Sequence, residues 1–337
     1  MARRLIILVL ALGVVWCGYW VVGSRMVRSG VGTWFAEAPL RQMQAENGGV
    51  SVRGFPYRFD VTIDRIRLAD LDGRYAWQAP FVQLFALSYK PWHVVAAFAN
   101  DQQLGTPLGL FDLASDRMRG SMVVSPNAAL DLQRLRVEGQ GLRLTRVQDQ
   151  GLTGQALAER AVTVAGLNLA TDIQDQNPQS HRIGVELTDV TLPARLAGAA
   201  GTAGQIARLR LDAGLEFSAP IRLQVQEVVP LLTRISLHEA RVDWAEASIS
   251  ASGDLTPDAF GQAQGQLTLR IDNWPRGLQL LQDIGLLSDS TRRALERGLR
   301  VVARLGGDRN RIEVPLTLDD GQMRISFVPV GPAPLLR

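Results

Sequence analysis

From Leu5 to Val22 the chain reads LIILVLALGVVWCGYWVV, eighteen residues without a charge, set between Arg3-Arg4 and Arg25 with Arg28. At 1.5 Å per residue this predicts about 27 Å of helix, roughly the thickness of a bilayer's hydrocarbon core. Helical spacing continues through Val27, Val31, Trp34, Phe35, Ala38 and Met43 to a stop at Asn47-Gly48-Gly49, although Gly30, Gly32 and Pro39 interrupt it. Beyond Val50 the period becomes two. Phe59, Val61 and Ile63, then Ile66 and Leu68, alternate with polar partners as half-buried strands do.

Similar alternating runs recur at 81–89, 94–98, 119–124, 130–137, 142–147, 161–169, 183–192, 206–217, 221–228, 235–244, 247–255, 264–271, 311–318 and 323–328. Turn residues separate them at Asp72-Gly73, Gly105 to Pro107, Ser125-Pro126-Asn127, Asn177-Pro178 and Asp320-Gly321. The last is the sharpest hairpin signal, because Asp-Gly supplies the positive φ angles of a tight two-residue turn. Two helical stretches follow Trp274-Pro275, over 277–304, interrupted at Ser288-Asp289-Ser290 and stopped by Gly306-Gly307. The expected fold is mainly β: a long curved antiparallel sheet, groove-like or in two β units, with an N-terminal transmembrane helix and a short helical pair near the C-terminus. The expected divisions are a membrane anchor at 1–24, a helical connector at 25–47, an N-terminal β unit at 48–192, an alanine- and glycine-rich loop or linker at 193–204, and a C-terminal β unit at 205–337.

Composition narrows the function. The 337 residues are 46% hydrophobic with a net charge of +3, ample for a core and without the runs of like charge that track a phosphate backbone. Nucleic acid is therefore not an expected partner. Of the basic residues only Lys90 is a lysine, and the only cysteine is Cys17, so the body carries no internal disulfide. A retained anchor is the leading reading of the first segment. Its alternatives are a cleaved signal, for which GSRMVRSG after Val22 is a weak site, and a lipoprotein at Cys17, which the bulky Trp16 disfavours.

Candidate chemistry is sparse. His93, His181 and His238 are far apart, and His238-Glu239 lacks the second histidine of the HExxH pattern, where Val242 stands. No nucleophile elbow, Walker loop or dinucleotide fingerprint occurs. Asp70 with Asp72, and Asp319-Asp320, sit at turns, where aspartate bonds locally. The expectation is no catalytic residue, metal or cofactor, and no enzyme. Gly54-Phe55-Pro56-Tyr57 reads either as a ring plug at a strand entrance or as the lip of a ligand or partner site. Arg293, Arg297, Arg300 and Arg304 make one basic stripe on the predicted helix, either a solvated face or a contact for anionic headgroups.

At GGVSVRGFPYRFDV, 48–61, preceded by a tryptophan-bearing helix after the apolar segment, the chain resembles the uncharacterised alphaproteobacterial domain-of-unknown-function family numbered 2125. Its C-terminal portion is similar in pattern to AsmA-like envelope proteins, through Leu237 to Trp244, SGDLTPDAFGQAQGQLTLRI, Trp274, the helical pair and PLTLDDGQMRI. The resemblance implies a single-pass inner-membrane protein with a periplasmic body, and AsmA-like relatives imply a part in outer-membrane upkeep and lipid movement. The leading expectation is envelope maintenance through phospholipid bound along an apolar sheet face, with Phe55, Tyr57, Phe59, Val61 and Ile63 as candidate lipid or partner contacts. The alternatives are a scaffold that binds other envelope proteins at a sheet edge and a hydrolase with a dispersed site.

Overall fold

The computed structural model describes residues 2–147, 160–193, 204–224, 229–283, 288–305, 308–325 and 328–336. Helix α1 (Ala2–Ala36) contains the apolar segment and continues without a break through Val27, Val31 and Trp34. A 3-10 turn, Ala38–Arg41, follows, with Pro39 near its start and Gln42 in the left-handed conformation at its end. The strands are β1 (Met43–Glu46), β2 (Gly49–Arg53), β3 (Arg58–Asp70), β4 (Ala76–Leu87), β5 (Lys90–Phe98), β6 (Asp101–Thr106), β7 (Gly109–Ala114), β8 (Arg117–Val124) and β9 (Leu132–Arg146). They continue as β10 (Val162–Gln174), β11 (Asn177–Thr191), β12 (Gln205–Phe217), β13 (Leu232–Trp244), β14 (Ala247–Pro257), β15 (Ala263–Asp272), β16 (Arg311–Asp319), β17 (Gln322–Ile325) and β18 (Val328–Pro332). Helices α2 (Trp274–Asp283) and α3 (Asp289–Leu305) are inserted between β15 and β16.

All eighteen described strands join one sheet, and every pairing among them is antiparallel. β1 and β2 lie end to end along one side of β3, and β4 lies along the other. β5 and β6 then share the far side of β4, and β7 and β8 both pair with β9. From β9 to β18 the sheet is a simple meander. Its final strand carries Pro329 and Pro332, which lack the N–H that a further strand would need, so this edge is poorly suited to templating growth.

Several turns differ from the sequence expectation. The β10–β11 turn is Asp175-Gln176, with φ of 49° and 56°, and Asn177-Pro178 already belongs to the strand. Two positive φ values at non-glycine residues leave no Asn-Gly or Asp-Gly signal to read. Gly105 lies inside β6, and Asp101 to Ala114 forms a hairpin that short, polar-rich strands conceal. Ile221 to Gln224 is not a strand, and 225–228 lie outside the described residues. So do 194–203, most of the expected linker, on either side of which Val190 pairs with Ile206. The Asp320-Gly321 hairpin, with φ of 49° and 71°, is as expected.

Among the described residues, three cores lie where helices cover the sheet, and a fourth, around Leu255, Ala263, Leu267 and Leu318, is closed by Ala333 and Leu336 of the C-terminal segment. Phe35, with Val27, Val31 and Trp34, packs on Val61, Ile63, Ile66, Ala79 and Val82. At the other end Trp274, Leu278 and Ala303 pack on Ile312 and Val314, while Leu280 closes over Trp244 and Ala247. Leu280 is fully buried, so Leu280→Ala is expected to destabilise the protein by about 2–5 kcal/mol. Arg270→Ala, which removes an exposed pair with Glu313, is expected to cost less than about 1 kcal/mol. Urea unfolding of the detergent-solubilised chain measures both.

His181 pairs with Leu215 across β11 and β12, is 1% exposed, and sits edge-on to Phe217. Burial lowers its pKa below the ordinary 6.5, against a smaller upward pull from its bond to the Pro178 carbonyl. The folded state thus holds the ring neutral, whereas the unfolded chain takes up a proton near pH 6.5. Stability is expected to be insensitive to this group above about pH 7 and to fall as pH drops below 6.5. His181→Gln should flatten that fall in thermal melts recorded from pH 7.5 to 5.

Candidate functional site: the apolar face of the sheet

Strand register assembles this site. Because side chains alternate across a strand, residues directly opposite one another in successive strands share a face. One row runs Val61, Leu84, Ala96, Gly120, Val137, Leu169, Val185, Leu211, Ala240, Ala251, Leu269 and Val314 across twelve strands without a polar residue. Beside it runs a second apolar row, Leu167, Leu187, Leu209, Val242, Ile249, Ile271 and Ile312.

One residue along, on the opposite face, the row reads Thr62, Gln83, Ala97, Arg119, Glu138, Asn168, Glu186, Arg210, Arg241, Ser250, Arg270 and Glu313. Cross-strand ion pairs lace this polar face. Arg182 grips Asp212 with two bonds of 2.7 Å, Arg208 meets Glu186 at 3.2 Å, and Arg270 meets Glu313 at 2.9 Å. The Arg182 hydrogen bond holds the Asp212 carboxyl below the ordinary carboxylate range, and Arg311 does the same for Asp272.

Both helical elements lie on the apolar face, at its two ends: α1 over β2–β5, and α2 with α3 over β13–β16. Between them, across β9–β12, Val137, Leu167, Leu169, Val185, Leu187, Leu209 and Leu211 are half-buried and belong to none of the described helix-covered clusters. These four strands have 13 to 15 residues each, about 45–50 Å of strand, and four strands span about 20 Å across. The Arg41 guanidinium, in the 3-10 turn that follows α1, donates to the Leu223 carbonyl in the loop after β12. The sheet therefore bends toward the side on which α1 lies, so that the apolar face is concave and the charged face convex.

The residues singled out in the sequence divide sharply. Phe59, Val61 and Ile63 are 3–5% exposed, packed against α1 and its neighbours, and leave no surface for a ligand. Phe55 and Tyr57 stand exposed at the β2–β3 turn. That turn is docked on α1: Trp16 Nε1 donates to the Pro56 carbonyl at 3.1 Å, Trp20 Nε1 to Arg58 at 2.9 Å, and the Tyr19 hydroxyl to Ser88 at 2.6 Å. Trp20 also meets Phe55 edge-on and stacks on Phe59. Gly23 permits the close approach, since a β-carbon there would lie 2.8 Å from the Phe59 ring.

Arg293, Arg297 and Arg300 are exposed on α3, where Arg300 and Arg292 both pair with Glu296. The Arg304 side chain lies outside what is described. Among the described residues no group of histidine, cysteine and carboxylate side chains is arranged to hold a metal ion. His93 is bonded to the Ser121 hydroxyl at 3.0 Å. The middle of the concave face is the feature that inspection of separate runs misses: each run shows alternation, but only register shows that the apolar positions line up.

Helix α1 is long and apolar enough to cross a membrane, with a mean hydropathy of 2.5 in its best window, a property that an anchor shares with a signal sequence. No curated protein and no solved structure matches the chain. A family described as "Uncharacterized protein conserved in bacteria (DUF2125)" matches residues 20–334, the whole described sheet together with about half of α1, and the chain belongs to that family.

Proposed function

We propose that this protein is anchored in the inner membrane by α1, with its sheet in the periplasm, and serves envelope maintenance by binding phospholipid acyl chains on its concave apolar face. The observation that carries this reading is the unbroken apolar row whose middle, from Val137 to Leu211, no described helix covers. Leaving such a surface in water is unfavourable by roughly 25 cal/mol per Å² of apolar area, and acyl chains are a partner that needs no directional bonds. The AsmA-like pattern of the C-terminal strands points the same way. Retention of α1 is supported by its three aromatic bonds to the sheet, because a signal sequence destined for removal has no need of them. The role is one of binding rather than catalysis.

A scaffold that captures partners by strand addition fits less well, since β18 carries two prolines and α1 packs along β1 and β2 at the opposite edge. The test uses a photo-crosslinking amino acid in the full chain in native membranes. At Leu169 or Leu211, on the concave face, the probe is expected to capture phospholipid. At Asn168 or Arg210, on the convex face, it is expected to capture at least several-fold less. Equal labelling of the two faces, or protein adducts alone at Leu169 and Leu211, would count against lipid binding.

A further inference from the structure

We propose that the paired tips of the β2–β3 and β4–β5 hairpins are embedded in the membrane leaflet on the sheet's side, with phospholipid as their partner, an inference that rests on α1 being a membrane anchor. The tips are fixed to α1 at Trp16 and Tyr19, well inside its uncharged run. From Arg4 to Trp16 the helix rises only about 18 Å, against a hydrocarbon core of about 30 Å. A membrane surface drawn at the level of the tips would therefore leave α1 far too short to cross, and tilting the helix worsens the shortfall. With the surface instead near Val22, where the apolar run ends, the tips lie about 5–9 Å below it, the β4–β5 tip at the level of Tyr19 and the β2–β3 tip at that of Trp16.

The tips are built for that depth. Phe55, Tyr57 and Tyr89 are 53%, 67% and 62% exposed, large rings of the kind that settle at a membrane interface. Backbone carbonyls in lipid need internal partners, and five at the tips have them. Pro56, Arg58 and Ser88 accept from Trp16, Trp20 and Tyr19, while Gly54 and Tyr57 accept from the amides of Arg58 and Ser88. The exposed bases Arg53 and Lys90 flank the two turns, where anionic headgroups would meet them. The same bonds that dock the turns on α1 thus make them compatible with hydrocarbon.

The experiment places an environment-sensitive fluorophore on single cysteines in the full chain, with Cys17→Ser, reconstituted in phosphatidylethanolamine–phosphatidylglycerol vesicles. Labels are introduced at the exposed positions Tyr57→Cys and Tyr89→Cys, at Ala11→Cys within α1, and at Leu108→Cys in the β6–β7 turn at the opposite end of the strands. Nitroxide-bearing lipids are expected to quench positions 57 and 89 strongly, with several-fold less quenching by aqueous iodide than at position 108. Quenching by lipid at 11 but iodide access at 57 and 89 equal to that at 108 would overturn the insertion and leave the anchor standing. Iodide access at 11 as well would remove the anchor and the insertion together.

Discussion

The structure depends on the two-residue period of the strand combined with an antiparallel register that keeps apolar positions opposite one another from β3 to β16, with local bulges such as those between β12 and β13 and between β13 and β14. Pleating alone makes each strand two-sided; register makes the whole sheet two-sided. Once Val61 is opposite Leu84, and so on to Val314, an apolar surface far larger than any helix in the chain has been created. The chain covers the two ends of that surface with its own helices. What it leaves uncovered, across β9–β12, is the consequence of building an eighteen-strand sheet with three described helices.

The convex face holds that register in place. Its ion pairs are individually weak, since exposed pairs are worth up to about 1 kcal/mol. Their collective effect is on alternatives. A slip of one residue between β11 and β12 would turn Arg210 and Asp212 into the concavity and Leu209 and Leu211 out to water. A slip of two would keep the faces but break the Arg182–Asp212 fork and misplace the Arg208–Glu186 pair. The almost exclusive use of arginine over lysine suits this role, because a planar guanidinium fixes geometry where an ammonium offers a point charge.

How much of this was legible in the sequence follows from range. The β class, the Asp320-Gly321 hairpin, the apolar first helix and the helical pair rest on local signals and are all present. The Asp101 to Ala114 hairpin and the Asp175-Gln176 turn were not legible, because their strands or turn residues lack the usual composition. At the candidate site the difficulty was the assignment of faces. Phe59, Val61 and Ile63 were rightly placed on one face with Phe55 and Tyr57 nearby, but nothing local says that α1 folds back over the first three and leaves the other two bare. Nor does anything local say that the N–H and O–H groups of Trp16, Tyr19 and Trp20 bond the sheet's turns, a contact across 38 to 69 residues.

The two bare apolar surfaces, the hairpin tips and the middle of the concavity, are joined by register as well. The row nearest the tips runs Phe59, Ala86, Val94, Met122 and Leu135, and so reaches β9 without a polar side chain. Phe59 is sealed by Trp20, so the open part of this row begins at Ala86 and Val94, on the two strands that the second hairpin joins. Met122, an adaptable side chain, stands midway. At β10 the row meets Thr171, which is buried, and beyond it Ile183. On the proposed reading, an acyl chain leaving the membrane at the tips meets only apolar side chains along this row until β10. The charged row that could stop it lies on the other side of the sheet. On the proposed reading, α1 does more than hold the body near a membrane: by fixing two hairpins at a set depth, it fixes where the apolar face of the sheet begins.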